Sequence, residues 1–162
     1  MSVNSKCNDM KKERFRIFSA VYLIFEKEGS ILLLQRKNTR YMPGYYTPIA
    51  GHSDGNESAT SAVIREAKEE AGVIVSKKDV SVAYITHRYS IEREYIDIYF
   101  VATHWEGEPR NMEPEKSGDM QWFDKKNLPN NVIPEVVVAL HAIEKNIHYG
   151  EYGWDHEGSS LE

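Results

Sequence analysis

Three glutamates lie close together in the middle of the chain, within the stretch Arg65-Glu66-Ala67-Lys68-Glu69-Glu70. On a helix with about 3.6 residues per turn, Glu66 and Glu70 fall on one side and Glu69 flanks it. Carboxylates that converge at a partly buried edge repel one another and raise each other's pKa unless a positive charge sits among them. Oxygen donors without a nearby histidine or thiolate favour Mg²⁺ or Mn²⁺ over zinc. The spacing therefore predicts a divalent-metal site suited to phosphate chemistry.

The glutamates belong to a predicted helix from Ser58 to Ala71. This segment contains no proline or glycine, and Gly72 stands where a C-terminal cap belongs. One stripe of small residues is expected to pack on a sheet, and it consists of Ala59, Ala62, Val63 and Ala67. The opposite, solvent-facing half carries Ser61, Arg65 and Lys68. Because Glu66 and Glu70 fall on the packed stripe, the pattern does not favour an ordinary solvated charged face.

The stretch from Gly51 to Val73 resembles the Nudix box, G-x5-E-x7-R-E-U-x-E-E-x-G-U, in which U is aliphatic. Every fixed position is matched, by Gly51, Glu57, Arg65, Glu66, Glu69, Glu70 and Gly72. One departure is Ala67, where a bulkier aliphatic residue is usual. The resemblance implies an α/β fold, a Nudix-type α/β/α sandwich with a mixed central β-sheet. It also implies metal-dependent hydrolysis of a diphosphate linkage in a nucleoside triphosphate or related nucleoside diphosphate derivative, releasing a nucleoside monophosphate.

The resemblance assigns roles to individual residues of the box. The metal ligands are expected to be Glu66, Glu69, Glu70 and the backbone carbonyl of Ala50. Glu57 and Arg65 are expected to form a buried pair that fixes the loop against the helix, and Gly51 and Gly72 also support the site structurally. The cofactor is expected to be Mg²⁺, with Mn²⁺ as the alternative.

The group that takes the proton from the attacking water is left open. Relatives with this box use either a box glutamate, here Glu69 or Glu66, or an acid from a distant loop. The candidates in the loop are Glu113 and Glu115. The alternative for both is that they are ordinary acids of a polar surface loop.

A diphosphate substrate needs cationic contacts, and the candidates near the cleft are Arg36, Arg40 and Arg88. The alternative for each is a surface ion pair. Three tyrosines surround Pro43-Gly44, namely Tyr41, Tyr45 and Tyr46. A base could stack on one of them while another packs in the core, and Tyr45 is assigned to the substrate site.

No histidine is assigned to the metal site or to the substrate site. His52, His87 and His104 have no spacing that pairs them with a nucleophile or a metal, so all three are interpreted as structural.

The remaining pattern predicts strands and helices around one mixed sheet, in a single Nudix domain over residues 15–154. A polar extension covers residues 1–14, and a tail with a cloning remnant covers 155–162. The predicted strands are 18–25, 31–36, 45–49, 80–86, 95–103 and 120–123, and a second helix is predicted from Pro134 to Ile147. Trp122, Phe123 and the cluster Tyr149 to Trp154 are expected to close the core or to cover a homodimer interface.

The overall composition sets the class of protein. The chain has 162 residues, of which 41% are hydrophobic and 28% charged, as in ordinary globular domains. A net charge of -5 argues against binding a nucleic-acid backbone through a broad basic surface. The single cysteine, Cys7, allows no intrachain disulfide, and no segment reads as a secretory signal or membrane span. We expect a cytoplasmic protein with a small nucleotide-like substrate.

Two other classes of function compete with the hydrolase. One is a noncatalytic Nudix-fold sensor that binds nucleotide or protein, which would typically have lost one or more acids of the box. The other is an acidic cation-binding protein without phosphate chemistry. The complete set of box acids favours the hydrolase over both.

Overall fold

The first two apolar runs form an antiparallel hairpin. Glu28 and Gly29 at its turn have positive φ angles of 52° and 78°, which is the geometry that matches the twist of strands joined by a two-residue loop. Lys27 pairs with Ser30 across the turn. The strands predicted over residues 18–25 and 31–36 are therefore confirmed, and the structure joins them as a hairpin.

The structure is a computed structural model that describes residues 15–90 and 93–154. The predicted extension 1–14, with Cys7, and the predicted tail 155–162 lie outside the described residues. The strands are β1 (Phe18–Lys27), β2 (Ser30–Arg36), β3 (Tyr46–Thr47), β4 (Ile49–His52), β5 (Val80–Ser90), β6 (Arg93–Ala102), β7 (Ser117–Asp124) and β8 (Tyr149–Tyr152). The helices are α1 (Ala59–Ala71) and α2 (Pro134–Glu144), with a short 3-10 turn at Lys77–Asp79.

The strands form a mixed, open sheet. Strand β1 pairs with β4 in antiparallel and with β6 in parallel orientation. Strand β5 continues the sheet, antiparallel to β6 and parallel to β8. A second group, β3-β2-β7, is antiparallel throughout and joins the first through the end of β1. None of the described helices is long and apolar enough to cross a membrane.

Side chains alternate along β1 and supply two cores. Val21, Leu23 and Phe25 pack in the core that contains the buried face of α1. Ile24, from the other face, packs in the core that contains α2, together with Tyr22. A helix therefore covers each side of the sheet, and the predicted α/β/α sandwich is confirmed.

The second helix is shorter than predicted. It ends at Glu144, because Asn146 adopts a left-handed φ of 56°. The amide of Asn146 donates to Ile143 O at 3.0 Å and that of Ile147 to Ala142 O at 2.8 Å. These two bonds close the helix in a Schellman arrangement.

The aromatic segment that follows α2 is a strand that the sequence analysis did not predict. In β8, Tyr149 pairs with Ile85 and Tyr152 with Arg88. Gly150 lies directly against the hydroxyl of the buried Tyr84, where a Cβ would overlap the ring end. The segment thus extends the sheet at the edge of β5, a role that differs from the core closure or dimer interface expected for it, and Tyr149 stays 55% exposed.

The close contact at Gly150 predicts a loss of stability for Gly150→Ala. The added methyl group meets the end of a buried ring, so the free energy of unfolding should fall by about 1–3 kcal/mol. Chemical denaturation monitored by circular dichroism measures this. Gly55→Ala is the matched control, since no atom lies within 4 Å of a Cβ at that position. Equal unfolding midpoints for the two variants would contradict the packing described for β8.

Candidate active site

Helix α1 presents the acidic residues, and its ends are fixed by local capping. The Ser58 hydroxyl accepts a hydrogen bond from the Ser61 amide at 3.2 Å. Gly72 ends the helix with a left-handed φ of 69°, and its amide donates to Lys68 O at 3.1 Å. The face that packs on the sheet consists of Ala62, Val63, Ala67 and Ala71, all fully buried. Small side chains on this face bring the helix close to β1 and β4.

Glu70 reaches from α1 to the backbone of β4. Its Oε2 atom accepts a hydrogen bond from the Ala50 amide at 3.0 Å. Burial raises the pKa of Glu70 to about 8, although the Ala50 bond opposes the shift. The charges of Glu66 and Glu113 raise it further. This carboxyl group therefore lies at a point where negative charge is strongly disfavoured.

Glu66 fills the space next to Gly51. A Cβ at residue 51 would overlap the Glu66 carboxylate, so only glycine fits opposite this side chain. The pKa of Glu66 is raised, first by burial. Glu69, one turn from Arg65, remains 52% exposed at its side chain.

Arg65 connects the box acids to one another. Its guanidinium contacts Glu57 at 2.8 Å, Glu66 at 2.7 Å and Glu69 at 3.1 Å. It also donates to the carbonyl of His52 at 3.2 Å. The helical wheel places Arg65 on the outer half of α1, but its long side chain folds back over the loop and is only 28% exposed. The Arg65 hydrogen bonds lower the pKa of Glu57.

The acids line one cavity of about 310 Å³, which we call the acidic cavity. Its carboxylates are those of Glu66, Glu69, Glu70 and Glu113. Ala50 and Gly51 lie on the same wall, and Arg36 and Lys116 bring positive charge to it. The structure thus brings together all of the residues assigned to the metal.

Within the described residues, no three His, Cys, Asp or Glu side chains are grouped tightly enough to enclose a metal ion. The reason is visible in the contacts, since Arg65 holds Glu66 and Glu69 while the Ala50 amide holds Glu70. The donor set nevertheless fits a hard divalent cation, because it is made of oxygens only. A cation would also offset the mutual repulsion that raises the pKa values of Glu66 and Glu70.

The loop before β7 supplies one of the two acids considered for proton transfer. Glu113 lines the acidic cavity and accepts from Lys116 Nζ at 2.7 Å. Glu115 does not line it, and only its backbone carbonyl is bonded, to Asn38. Asn111 fixes this loop by donating to the carbonyls of Ser117 and Gly118 at 2.9 and 2.8 Å. The sequence analysis missed Asn111 and Lys116.

A larger cavity of about 690 Å³ adjoins the first, and we call it the arginine cavity. Its arginines are Arg36, Arg40, Arg88 and Arg93. All three arginines assigned to the substrate therefore lie on its wall, and Arg36 lines the acidic cavity as well. Arg36 donates through Nε to the Tyr41 carbonyl at 2.9 Å.

Arg88 is buried, and its charge is already compensated. Its Nε and Nη2 atoms donate to Asp97 at 2.5 and 3.2 Å, and Nη1 lies 3.8 Å from Glu135. The guanidinium also lies over the Tyr95 ring, 4.2 Å from its centroid. Asp97 was not among the predicted site residues. The sequence signal that could have indicated it is an acidic residue between apolar neighbours on a predicted strand.

Of the three tyrosines around Pro43-Gly44, Tyr41 lines the arginine cavity, whereas Tyr45 and Tyr46 do not. The Tyr41 hydroxyl donates to Glu135 at 2.9 Å, and this buried acid was also missed. Tyr45 packs against the core on the α2 side, and Tyr46 belongs to that core. The sequence shows three tyrosines around one turn but not which of them the turn directs into the cavity.

The three histidines differ in their surroundings. His52 is exposed on the rim of the arginine cavity. His87 contacts Glu94 at 3.1 Å and packs against Trp154, with ring centroids 4.5 Å apart. His104 contacts Thr103 at 3.0 Å. None of the three lines the acidic cavity.

The chain was compared with known proteins and solved structures. An ADP-ribose pyrophosphatase of Methanocaldococcus jannaschii is 32% identical over 126 residues, which cover 76% of this chain and 73% of that protein. An NAD-capped RNA hydrolase, NudC, of Vibrio atlanticus is 30% identical over 148 residues, which cover 90% of this chain and 51% of that protein. The chain therefore spans about half the length of this NudC relative.

Solved structures share the fold at lower identity. The crystal structure of a MutT Nudix hydrolase from Burkholderia pseudomallei has a TM-score of 0.72 at 23% identity, over 78% of this chain and 98% of that one. A MutT protein from Bacillus halodurans has a TM-score of 0.68 at 22% identity, over 84% and 90%. The family model described as the NUDIX domain matches residues 15–141. The chain belongs to the Nudix family.

Proposed function

We propose that the protein is a metal-dependent pyrophosphohydrolase that cleaves a diphosphate linkage in a nucleoside triphosphate or related nucleoside diphosphate derivative, releasing a nucleoside monophosphate. The observation that carries the proposal is the acidic cavity. Four carboxylates converge on it beside the backbone of Ala50 and Gly51, and two cationic side chains lie on the same wall. Such a cavity suits a divalent cation together with an anionic substrate.

The metal ligands in this proposal are Glu66, Glu69, Glu70 and the Ala50 carbonyl, and the cation is Mg²⁺ or Mn²⁺. When bound there, the cation neutralises charge on the diphosphate oxygens. For Glu66 and Glu69 to serve as ligands, their hydrogen bonds to Arg65 must loosen or be shared with the cation. Arg65 stays attached to the loop through Glu57.

Hydrolysis requires a group that accepts the proton of the attacking water. The water oxygen forms a bond to one phosphorus, the bridging P–O bond breaks, and the proton passes to a carboxylate. Glu69 has the most exposed side chain of the box acids on the cavity wall, and it can contact such a water once its bond to Arg65 loosens. Glu113 on the opposite loop is the second candidate.

The arginine cavity is proposed to take the nucleoside part of the substrate. Tyr41 supplies an aromatic ring to its wall, Arg88 covers one face of the Tyr95 ring, and Arg40 supplies an exposed charge. Arg88 contributes mainly through its ion pair with Asp97, which fixes the floor of this cavity. The volume of this cavity lies within the range of small-molecule sites.

The names of the relatives support this class of substrate, since ADP-ribose and the NAD cap both contain a diphosphate linkage between nucleoside-type groups. The net charge of -5 favours small nucleotides over an RNA backbone. The alternative of a noncatalytic sensor is less favoured, because every acid of the box is present.

Replacing Glu69 with glutamine should abolish metal-dependent turnover. Removing a ligand that also accepts the proton should lower kcat by roughly a hundredfold or more. The assay measures phosphate in the presence of Mg²⁺. Inorganic pyrophosphatase is the coupling enzyme for nucleoside triphosphates, and a phosphomonoesterase is the coupling enzyme for nucleotide sugars, ADP-ribose and dinucleotides, which carry terminal phosphates only after cleavage. Glu144→Gln is the control, because Glu144 is exposed at the end of α2. If the wild type binds nucleotide but hydrolyses no member of the panel, the sensor alternative takes precedence.

Glu113→Gln and Glu115→Gln form a matched pair in one loop. Because only Glu113 lines the acidic cavity, its replacement should lower kcat at saturating Mg²⁺ about tenfold or more, whereas Glu115→Gln should leave kcat unchanged. Steady-state kinetics on the best substrate decide between them. Unchanged turnover in both variants would remove Glu113 from the mechanism.

The metal-free protein should lose stability as the pH rises. The pKa of Glu70 is raised from 4.5 to about 8 in the folded chain, so the folded state binds this proton more tightly than the unfolded state. Its stabilising contribution is fully present below pH 4.5 and is lost as the pH rises through about 8. Thermal unfolding in EDTA across this range should show a steeper fall for wild type than for Glu70→Gln. Mg²⁺ should reduce the fall in wild type, and parallel curves for the two proteins would contradict the assignment.

A further inference from the structure

The acidic cavity and the arginine cavity meet along a shared wall. The residues that line both are Arg36, Thr47, Ala50 and Gly51. Ala50 and Gly51 have no polar side chain, so Arg36 and Thr47 supply all of the polar side-chain atoms at this junction. A ligand that extends from one cavity into the other must pass these two residues.

Thr47 has an unusual environment for a threonine. It lies in β3, pairs with Leu34 and is only 7% exposed. Its hydroxyl is buried and has no hydrogen-bond partner among the described residues. A buried hydroxyl without a partner destabilises a fold, and valine would fill the same volume without that penalty. The hydroxyl is therefore not explained by the stability of the folded chain.

Two other hydroxyl groups in the described part of the chain are similarly buried, those of Tyr99 and of Thr86, although Thr86 interacts with the Tyr84 side chain. Neither residue lines the acidic cavity or the arginine cavity. Thr47 is thus the one member of this group that borders these cavities, and contact between its covered hydroxyl and a bound molecule requires rotation about its Cα–Cβ bond.

The charge at the junction indicates which chemical group belongs there. Arg36 uses Nε for the Tyr41 carbonyl at 2.9 Å, and no carboxylate of the described residues lies within ion-pair distance of it. A hydroxyl donor beside a guanidinium that forms no such ion pair, although its charge acts on Glu70, favours an anionic oxygen. A phosphate oxygen satisfies both groups, whereas a purely apolar segment satisfies neither.

We infer that Thr47 is a positioning residue that donates its hydroxyl hydrogen bond to a phosphate oxygen of a substrate spanning both cavities. The inference rests on the proposed function for the position of the diphosphate in the acidic cavity. In addition, the substrate is inferred to be a nucleotide derivative whose diphosphate lies in the acidic cavity and whose nucleoside part lies in the arginine cavity. Thr47 and Arg36 then contact the phosphate that joins these two parts.

The test is a pair of nearly isosteric variants, Thr47→Val and Thr47→Ser. Calorimetry measures the binding of ADP-ribose, as its α,β-methylene analogue, with Mg²⁺ present, which separates binding from turnover because the P–C–P linkage is not hydrolysed. Loss of a hydrogen bond to a charged group should raise the Kd of Thr47→Val about tenfold, while Thr47→Ser should stay close to wild type. The melting temperature of Thr47→Val should be equal to or higher than that of wild type, since the variant removes an unpaired buried hydroxyl.

Equal Kd values for wild type and Thr47→Val overturn the inference, and so does an equal loss in both variants, because that would assign the effect to shape. Turnover with Mg²⁺ is measured separately on the same proteins. Turnover that is insensitive to Thr47→Val keeps the hydrolase and removes the inference. Binding that is sensitive to Thr47→Val without any turnover keeps the inference and contradicts the hydrolase. If ADP-ribose does not bind, the nucleotide of the panel with the highest turnover replaces it, and absence of binding and turnover across the panel contradicts both proposals.

Discussion

The close approach of helix α1 to strand β4 is the constraint on which the rest of the site depends. Ala62 and Ala67 allow this approach because they add little bulk between helix and sheet. Gly51 allows it from the other side, since its missing side chain leaves the space that the Glu66 carboxylate occupies. Only at this separation does Glu70 reach the amide of Ala50. The small residues of the box thus determine where its carboxylates lie, and the carboxylates in turn determine which chemistry the site can support.

Bringing these acids together concentrates negative charge, and the structure compensates for it in two ways. Arg65 contacts three carboxylates at once and joins the loop to the helix. Glu70 lies beyond its reach, and burial raises its pKa to about 8. The contacts of Arg65 stabilise the folded chain. Buried Glu70, by contrast, has a carboxylate form that a bound cation can stabilise. On one helix, Arg65 therefore has a structural role, whereas Glu70 is available for the chemistry of the site.

Local signals in the sequence were sufficient for helix α1, its C-terminal cap and the first two strands, since each depends on residues only a few positions apart. The site beyond the box depends on contacts between distant segments. Nothing near Glu135 shows that it meets Tyr41 and Arg88, and nothing near Tyr149 shows that it extends the sheet beside Ile85. Helical periodicity also predicts the direction of the Cβ atom but not the position of the end of a long side chain. The guanidinium of Arg65 therefore lies over the loop, although periodicity places this residue on the solvent-facing half of the helix.

Strand β8 has a further consequence for how the molecule behaves among its own copies. It covers the edge of β5, which would otherwise expose a long row of unpaired backbone groups. The new edge is only four residues long, carries Gly150 and Glu151 at its centre, and is followed by Trp154, whose Nε1 donates to the His87 carbonyl at 2.8 Å. A short edge with a glycine and a charge is a poor template for another strand. The segment therefore replaces a surface prone to intermolecular strand pairing with one that resists it.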